Sequence, residues 1–88
     1  MNDNRVALLG IIVENHDSVR KLNDILHEYE SYIIGRMGIP HREREISLIS
    51  VAVDAPQDII SSLAGKIGTL SGITSKVIYD KIRNVNDI

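Results

Sequence analysis

The residues best suited to chemistry lie in the middle of the chain, where arginine, histidine and glycine come close together. Arg36 follows one glycine, Gly38 lies two residues further on, and His41 and Arg42 come soon after. A guanidinium group binds a carboxylate or phosphate through two parallel hydrogen bonds, and backbone N–H groups beside glycine add donors. The spacing therefore favours a site for a small anion. The alternative is a solvated hairpin tip, because glutamates alternate with the arginines there and can pair with them.

A second polar group follows the first apolar segment of the chain. Asn15, His16 and Asp17 precede a helical pattern, so the Asn15 and Asp17 oxygens can cap its first turn. The N–H groups of such a turn point outward, which makes contact with an anion the functional alternative. The other two histidines of the chain are His27 and His41, and the spacing of the three matches no metal-ligand motif. We therefore predict no metal site.

Motifs for catalysis and for cofactor binding are missing from the sequence. The chain contains no cysteine, which excludes disulfides, thiolate catalysis and cysteine-ligated metal centres. The glycines around Lys66 lack the Gly-x-x-x-x-Gly-Lys-Ser/Thr pattern, and they end a helical pattern whereas a phosphate loop precedes one. Catalysis would need an acid and a base side by side, and the only short-range candidates are His16 with Asp17 and His41 with Glu43. We predict that the protein is not an enzyme and uses no cofactor.

Length and charge restrict the class of protein further. The chain has 88 residues, of which 43% are hydrophobic and 25% charged, as expected for one folded domain. Ten basic and 12 acidic residues give a net charge of −2, so we expect no direct binding of nucleic acid by this chain alone. The sequence has no stretch of about 20 apolar residues to cross a bilayer and no secretory signal pattern. We therefore expect a cytoplasmic protein without a membrane partner.

The elements that must position these residues follow from the hydrophobic pattern. Residues 5–14 and 46–54 are apolar on both alternating faces, which is typical of central strands. An amphipathic helical pattern follows each of them, over residues 18–30 and from Pro56 onward. Weaker strand patterns cover residues 32–40 and 73–82. The predicted order of elements is therefore βαββαβ.

This order predicts an α+β, ferredoxin-like fold. Right-handed crossovers give a four-stranded antiparallel sheet of order 4-1-3-2 with both helices on one face. We expect a single domain over residues 1–82, followed by a polar C-terminal tail over residues 83–88.

The second face of such a sheet has no helix over it. Apolar side chains of the central strands are expected there, namely Val6, Leu8, Ile12, Ile46 and Leu48. An exposed apolar patch of more than a few hundred Å² usually marks an interface between proteins. We therefore predict a homo-oligomer, either a dimer or a tetramer, that assembles through these residues.

Four segments carry a family resemblance. They are Ile-Ile-Val-Glu at 11–14, Leu-Asn-Asp-Ile-Leu-His at 22–27, Ile-Gly-Arg-Met-Gly-Ile-Pro at 34–40 and Leu-Ala-Gly-Lys-Ile-Gly-Thr-Leu-Ser-Gly-Ile at 63–73. Together they resemble the family of iron-only hydrogenase system regulators, and the resemblance covers roughly residues 5–81. It implies an ACT-like regulatory domain associated with such a system. The family is related to ACT-type domains and to the C-terminal domain of the nickel-responsive repressor, which share a ferredoxin-like fold and assemble through it.

The resemblance also implies a site. The repressor binds nickel through histidines and a cysteine, and this chain has no cysteine and no His-x-His, so nickel sensing is not implied. ACT-type domains bind amino acids or similar ligands at subunit interfaces near the turn after strand one. We therefore expect a small acidic or amino-acid-like ligand at a subunit interface, anchored by Arg36. The expected ligand-binding residues are Asn15, His16, Asp17, Arg36, Gly38, His41 and Arg42.

The predicted function is that of an oligomeric regulatory or sensing module which binds a small ligand or a protein partner. One alternative is a structural assembly protein without a ligand. The other is a small enzyme on the same fold, because a fold by itself does not determine function.

Overall fold

Strands and helices alternate in the order βαββαβ, as the sequence predicts. The structure is a computed structural model that describes residues 3–81. Its elements are β1 (Asn4–Val13), α1 (Val19–Glu28), β2 (Ile33–His41), β3 (Ile46–Pro56), α2 (Gln57–Gly68) and β4 (Ile73–Tyr79). Short 3₁₀ turns lie at His16–Ser18, at Glu30–Tyr32 and, between β2 and β3, at Arg42–Arg44. The predicted tail, residues 83–88, lies outside the described residues.

The four strands form one antiparallel sheet of order β2-β3-β1-β4, which is the predicted order 4-1-3-2 read from the other edge. β1 and β3 lie at the centre and pair along all ten residues of β1. β4 pairs with β1, and β2 pairs with β3 with one irregularity between Ile33 and Gly35. The predicted α+β, ferredoxin-like fold is confirmed.

Alternation along the central strands separates a buried face of the sheet from an open one. Every second residue of β1 from Ala7 to Val13 is at most 2% exposed, whereas the residues between them are exposed. Both helices pack on the buried face. The core consists of Ala7, Leu9, Ile11, Val13, Leu22, Leu26, Tyr29, Val51, Val53, Ala55, Ile60, Leu63 and Ile67. Burial of these apolar side chains holds the two helices on the sheet.

Two turns at one end of the sheet are joined by hydrogen bonds. The Ser18 Oγ donates to the Ser71 carbonyl at 2.6 Å, and the Glu14 N–H donates to the Gly72 carbonyl at 2.7 Å. Gly72 has a φ of +68°, and a Cβ there would lie 2.5 Å from the Asn15 Cβ. Glycine suits this position because both the positive φ and the close approach disfavour a side chain. The turn that leads into α1 is therefore braced by the turn that leads into β4.

The boundaries of the elements differ slightly from those predicted. The helical pattern from residue 18 begins as α1 only at Val19, because His16–Ser18 forms a separate 3₁₀ turn. The pattern predicts Pro56 as the first helical residue, but it lies immediately before α2 with an extended ψ of 150°, so the helix begins one residue later, at Gln57. β4 ends at Tyr79, three residues before the predicted end. Such shifts are usual at the ends of elements, where backbone hydrogen bonding is incomplete.

Candidate functional site

Arg36 lies on the edge strand β2, and its side chain projects on the helix side of the sheet. It pairs in the β2–β3 ladder with Val51, whose side chain belongs to the buried face. Side chains of directly paired residues lie on the same face of a sheet, which places Arg36 beside α1. The Arg36 Nη2 donates a hydrogen bond to the Asn23 Oδ1 of α1 at 3.1 Å. The predicted anchor is therefore held next to a helix at the free edge of the sheet.

Arg36 and Asn23 line a groove of about 320 Å³ between α1 and β2, called here the α1–β2 groove. Leu26 is buried and Ile33 is half-buried, and these two residues supply the apolar part of its surface. The complete lining consists of Asn23, Leu26, His27, Glu30, Ile33 and Arg36. The groove is thus partly apolar and partly charged, as ligand sites commonly are.

The polar part of the α1–β2 groove contains a cation, a carboxylate and an amide. The Glu30 Oε2 lies 3.1 Å from the His27 Nδ1, and both side chains are more than half exposed. The Arg36 guanidinium supplies the cation, and it has further N–H donors besides the one that contacts Asn23. Glu30 can accept hydrogen bonds from an ammonium group. These groups complement a small zwitterion that carries an apolar side chain.

The other predicted ligand residues of β2 lie between this groove and the hairpin tip. Gly38 is two residues beyond Arg36 on the same strand and face, and a Cβ there would have the Ile49 Cγ1 as its nearest neighbour, at 4.0 Å. His41 ends β2, Arg42 begins the turn into β3, and both are exposed. The helix side of β2 therefore offers open backbone next to Gly38, whereas His41 belongs by register to the opposite face and Arg42 lies in the hairpin turn.

Residues 15–17 lie at the same end of the sheet as the hairpin tip, with β3 between them. Pro40, Ser47 and Val13 form one row across β2, β3 and β1. The Asn15 Oδ1 accepts the Asp17 N–H at 3.0 Å and caps the 3₁₀ turn, whereas α1 follows Ser18 without a side-chain cap, so the predicted capping of the helix is not present. Among the residues that the structure describes, no hydrogen bond or ion pair links this turn to the predicted residues of β2. The two groups of predicted residues are therefore not joined by direct polar contacts within one chain.

Three polar residues of the α1–β2 groove were not predicted from the sequence, namely Asn23, His27 and Glu30. They recur at steps of four and three residues, the spacing that aligns side chains along one side of a helix. This polar stripe lies beside the apolar stripe that contains Leu22 and Leu26. The helical spacing of these residues could be recognised in the sequence, but only the tertiary structure shows which strand they face.

The open face of the sheet, opposite the helices, carries the predicted interface residues. Val6, Leu8, Ile12 and Leu48 are between 39% and 45% exposed, and Ile46 is half-buried. Three apolar residues of the edge strands are also exposed and were not predicted, namely Met37, Ile39 and Ile78.

The described residues offer neither a metal-binding cluster nor a membrane-spanning helix. Within residues 3–81, no three or more His, Cys, Asp or Glu side chains are grouped so that they could hold a metal ion. The helices of the same part of the chain, α1 and α2, have 10 and 12 residues, which is too short to cross a membrane.

Comparison with protein families gives a match over most of the chain. The family described as "TM1266-like: Iron-only hydrogenase system regulator, putative" matches residues 5–77. Among solved structures, the chain is similar to the uncharacterized protein TM1266 from Thermotoga maritima, with 32% sequence identity and a TM-score of 0.85. That alignment covers 89% of this chain and 99% of the other chain.

A second solved structure is similar at low sequence identity. A formyltetrahydrofolate deformylase from Pseudomonas putida KT2440 aligns with a TM-score of 0.60 and 15% identity. The alignment covers 82% of this chain and 28% of the deformylase chain, so the likeness is one of fold alone. No curated protein sequence matches the chain.

Proposed function

The chain belongs to the TM1266-like family, and we propose that it is a regulatory module, associated with an iron-only hydrogenase system, that senses a small amino-acid-like ligand in the α1–β2 groove. The description of the family supports the regulatory role and a role without catalysis. The chemistry of the groove supports the sensing of a ligand. The two parts of the proposal rest on separate observations, and the experiments below test the sensing role.

The single observation that carries the sensing role is the position of Arg36. The Asn23 Oδ1 holds one end of its guanidinium at 3.1 Å, so less side-chain freedom remains to be lost when a carboxylate binds. Glu30 lines the same groove and is available to the ammonium group of the ligand. Leu26 and Ile33 can contact an apolar side chain. A free amino acid carries a carboxylate, an ammonium group and a side chain on one carbon atom.

The expected affinity is modest because the charged groups of the groove are exposed to solvent. Hydrogen bonds to charged groups contribute about 1.5–3 kcal/mol each when they are well desolvated, and less in contact with water. Two such contacts and partial burial of an apolar side chain, reduced by the cost of association, correspond to a dissociation constant on the order of 0.1–1 mM. A sensor of an abundant metabolite operates in that range.

β2 connects the α1–β2 groove to the opposite face of the sheet. Arg36 and Met37 are neighbours on this strand and project to opposite faces of the sheet. A ligand that binds Arg36 restrains the strand whose other face presents Met37 and Ile39. Binding in the groove would thereby alter a surface that a protein partner can contact.

Isothermal titration calorimetry with a panel of amino acids and small organic acids tests the sensing role. Each active amino acid is compared with its amide, which lacks the carboxylate, and with its N-acetyl form, which lacks the ammonium group. We expect both modified forms to bind at least tenfold more weakly than the amino acid. Failure of every compound to bind at 10 mM, on the order of ten times the weakest expected dissociation constant, would show that the groove is not an amino-acid site.

Charge-removing variants locate the bound ligand. Arg36→Gln is expected to weaken binding at least tenfold, and Glu30→Gln is expected to weaken it selectively for ligands with an ammonium group. Arg44→Gln is the matched control, because it removes the same charge from the exposed hairpin turn. If Arg44→Gln weakens binding and Arg36→Gln does not, the ligand lies at the hairpin tip and the assignment to the groove is wrong.

A further inference from the structure

The open face of the sheet holds most of the exposed apolar side chains of the protein. Among residues 3–81, eight large hydrophobic side chains are exposed, and seven of them belong to this face by their position in the strand register. They are Val6, Leu8, Ile12, Met37, Ile39, Leu48 and Ile78, with exposures from 39% to 67%. The eighth, Ile34, lies at the irregularity of β2. Such a concentration on one face is a feature of interfaces.

The strand register shows that six of these side chains form two ridges, with Met37 in the row between them. Ile39, Leu48 and Ile12 are successive neighbours across β2, β3 and β1 and make the first ridge. Leu8 and Ile78 are neighbours across β1 and β4 and, together with Val6 beyond Leu8, make the second. Both ridges run across the strands, the first over β2, β3 and β1 and the second over β1 and β4.

A shallow trough separates the two ridges. Gly10 and Ser50 are paired residues of the central strands and lie in the row between them, and Met37 of β2 and Lys76 of β4 lie at the two ends of that row. A Cβ at Gly10 would meet nothing within 4 Å, so the trough is open above β1. If a second copy faces this surface, a ridge of one copy can lie in the trough of the other. The shape is therefore suited to contact with itself.

The area of this face is close to what a stable dimer needs. Strands about 4.8 Å apart and residues about 3.4 Å apart give four strands by eight residues a flat area of roughly 500 Å². Projecting side chains increase the accessible area above this flat value. A standard interface buries about 800 Å² on each partner, whereas the largest apolar patch of a typical monomer is about 300–600 Å².

The charges of the face favour a second copy over a charged partner. Its strand positions include one acidic residue, Asp54, which pairs with Val6, and two basic residues, Lys76, which pairs with Gly10, and His41, which pairs with Ile46. A two-fold contact places a patch against itself, so a patch with charges of one sign would repel its own copy. This face carries groups of both signs. It lacks the excess of basic residues that an anionic lipid surface or a nucleic acid would require.

We propose that the open face binds the open face of a second copy, so that the protein is a two-fold homodimer of stacked sheets. The sheets of such a dimer pack about 10 Å apart, with the ridges of one copy in the trough of the other. The interface includes the predicted residues Val6, Leu8, Ile12 and Leu48, and it extends to Met37, Ile39 and Ile78. This proposal is independent of any ligand in the α1–β2 groove.

Analytical ultracentrifugation over 1–100 μM tests the proposal. We expect a dimer for the natural sequence, and at least a hundredfold higher dissociation constant for Leu8→Glu and for Leu48→Glu, because each buries a charge in the interface. The two side chains face solvent in a single chain, so circular dichroism should show folded monomers. Gly65→Glu adds the same charge on the exposed side of α2, where a Cβ meets nothing within 4 Å, and should leave the dimer intact.

Cross-linking tests the orientation of the two copies. Because the chain contains no cysteine, Ser50→Cys places a unique thiol near the centre of the open face, and Ser61→Cys places one on the exposed side of α2. A short bifunctional maleimide should join two copies of Ser50→Cys and leave Ser61→Cys as single chains. A monomer at 100 μM, or a dimer that persists in both glutamate variants of the open face, would overturn the proposal.

Discussion

Gly72 joins the turn before β4 to the turn before α1, and its replacement by alanine is expected to destabilise the fold strongly. The residue has a φ of +68°, and a Cβ would lie 2.5 Å from the Asn15 Cβ and 3.0 Å from the Asn15 backbone nitrogen. Contacts this short cannot be relieved by rotation of a flexible side chain, because they involve atoms close to the backbone. The turn that carries Asn15 must therefore move.

The magnitude follows from two costs and one gain. A left-handed conformation costs a residue with a side chain about 1–2 kcal/mol, and overpacking costs about 1–3 kcal/mol. Alanine also lowers the conformational entropy of the unfolded chain, which stabilises the fold by about 0.4–1 kcal/mol. The net expected loss is about 1–4.6 kcal/mol in the free energy of unfolding. A domain of this size is stable by only about 4–13 kcal/mol, so the change should lower the melting temperature by at least about 4 °C.

Urea denaturation followed by far-ultraviolet circular dichroism measures the effect, at one protein concentration because association shifts apparent stability. Gly68→Ala is the matched control. Gly68 ends α2, is exposed, and has no atom within 4 Å of the position of a Cβ. Alanine there should change the stability by less than about 1 kcal/mol, in the stabilising direction. A loss below about 0.5 kcal/mol for Gly72→Ala, within the range of ordinary surface substitutions, would refute this account of the turn.

Two further predictions concern the packing of the helices. Ile60 of α2 is 0% exposed, so Ile60→Ala should lower the free energy of unfolding by about 2–5 kcal/mol in urea denaturation; a loss below about 1 kcal/mol would contradict its place in the core. The Lys66 Nζ donates to the Glu28 Oε2 at 2.8 Å, and this hydrogen bond is the main cause of a raised Lys66 pKa. The ion pair should therefore stabilise the fold at neutral pH and lose its effect as the pH rises through that raised pKa, above the ordinary 10.5. In Lys66→Met this part of the pH dependence should disappear, as measured by thermal unfolding between pH 8 and pH 12.

The fold could be predicted because its signals are local. The apolar faces around Leu9 and Val51 identified two central strands, and the helical stripes that contain Leu22 and Leu63 identified the elements between them. The rule for right-handed crossovers then leaves few topologies, and the structure has the predicted order. The resemblance carried by the glycine-containing segments is confirmed by the family match over residues 5–77.

Only part of the candidate site could be predicted from the sequence. Arg36 was identified as an anchor from its residue type and its neighbouring glycines. Its partner Asn23 and the groove residue Glu30 are separated from it by a turn, and no periodicity within one element could bring them together. The packing of α1 over the edge of the sheet decides that contact.

By itself the sequence determined the elements, their order and the existence of an uncovered apolar face, because hydrophobic periodicity and turn chemistry act over a few residues. The tertiary structure alone decided which side chains meet. The register of β2 on β3 directs Arg36 to the helix side and Met37 to the open face, and it extends that face to Ile39. Register depends on the pairing of distant segments, and a shift of one residue would exchange the two faces of the strand.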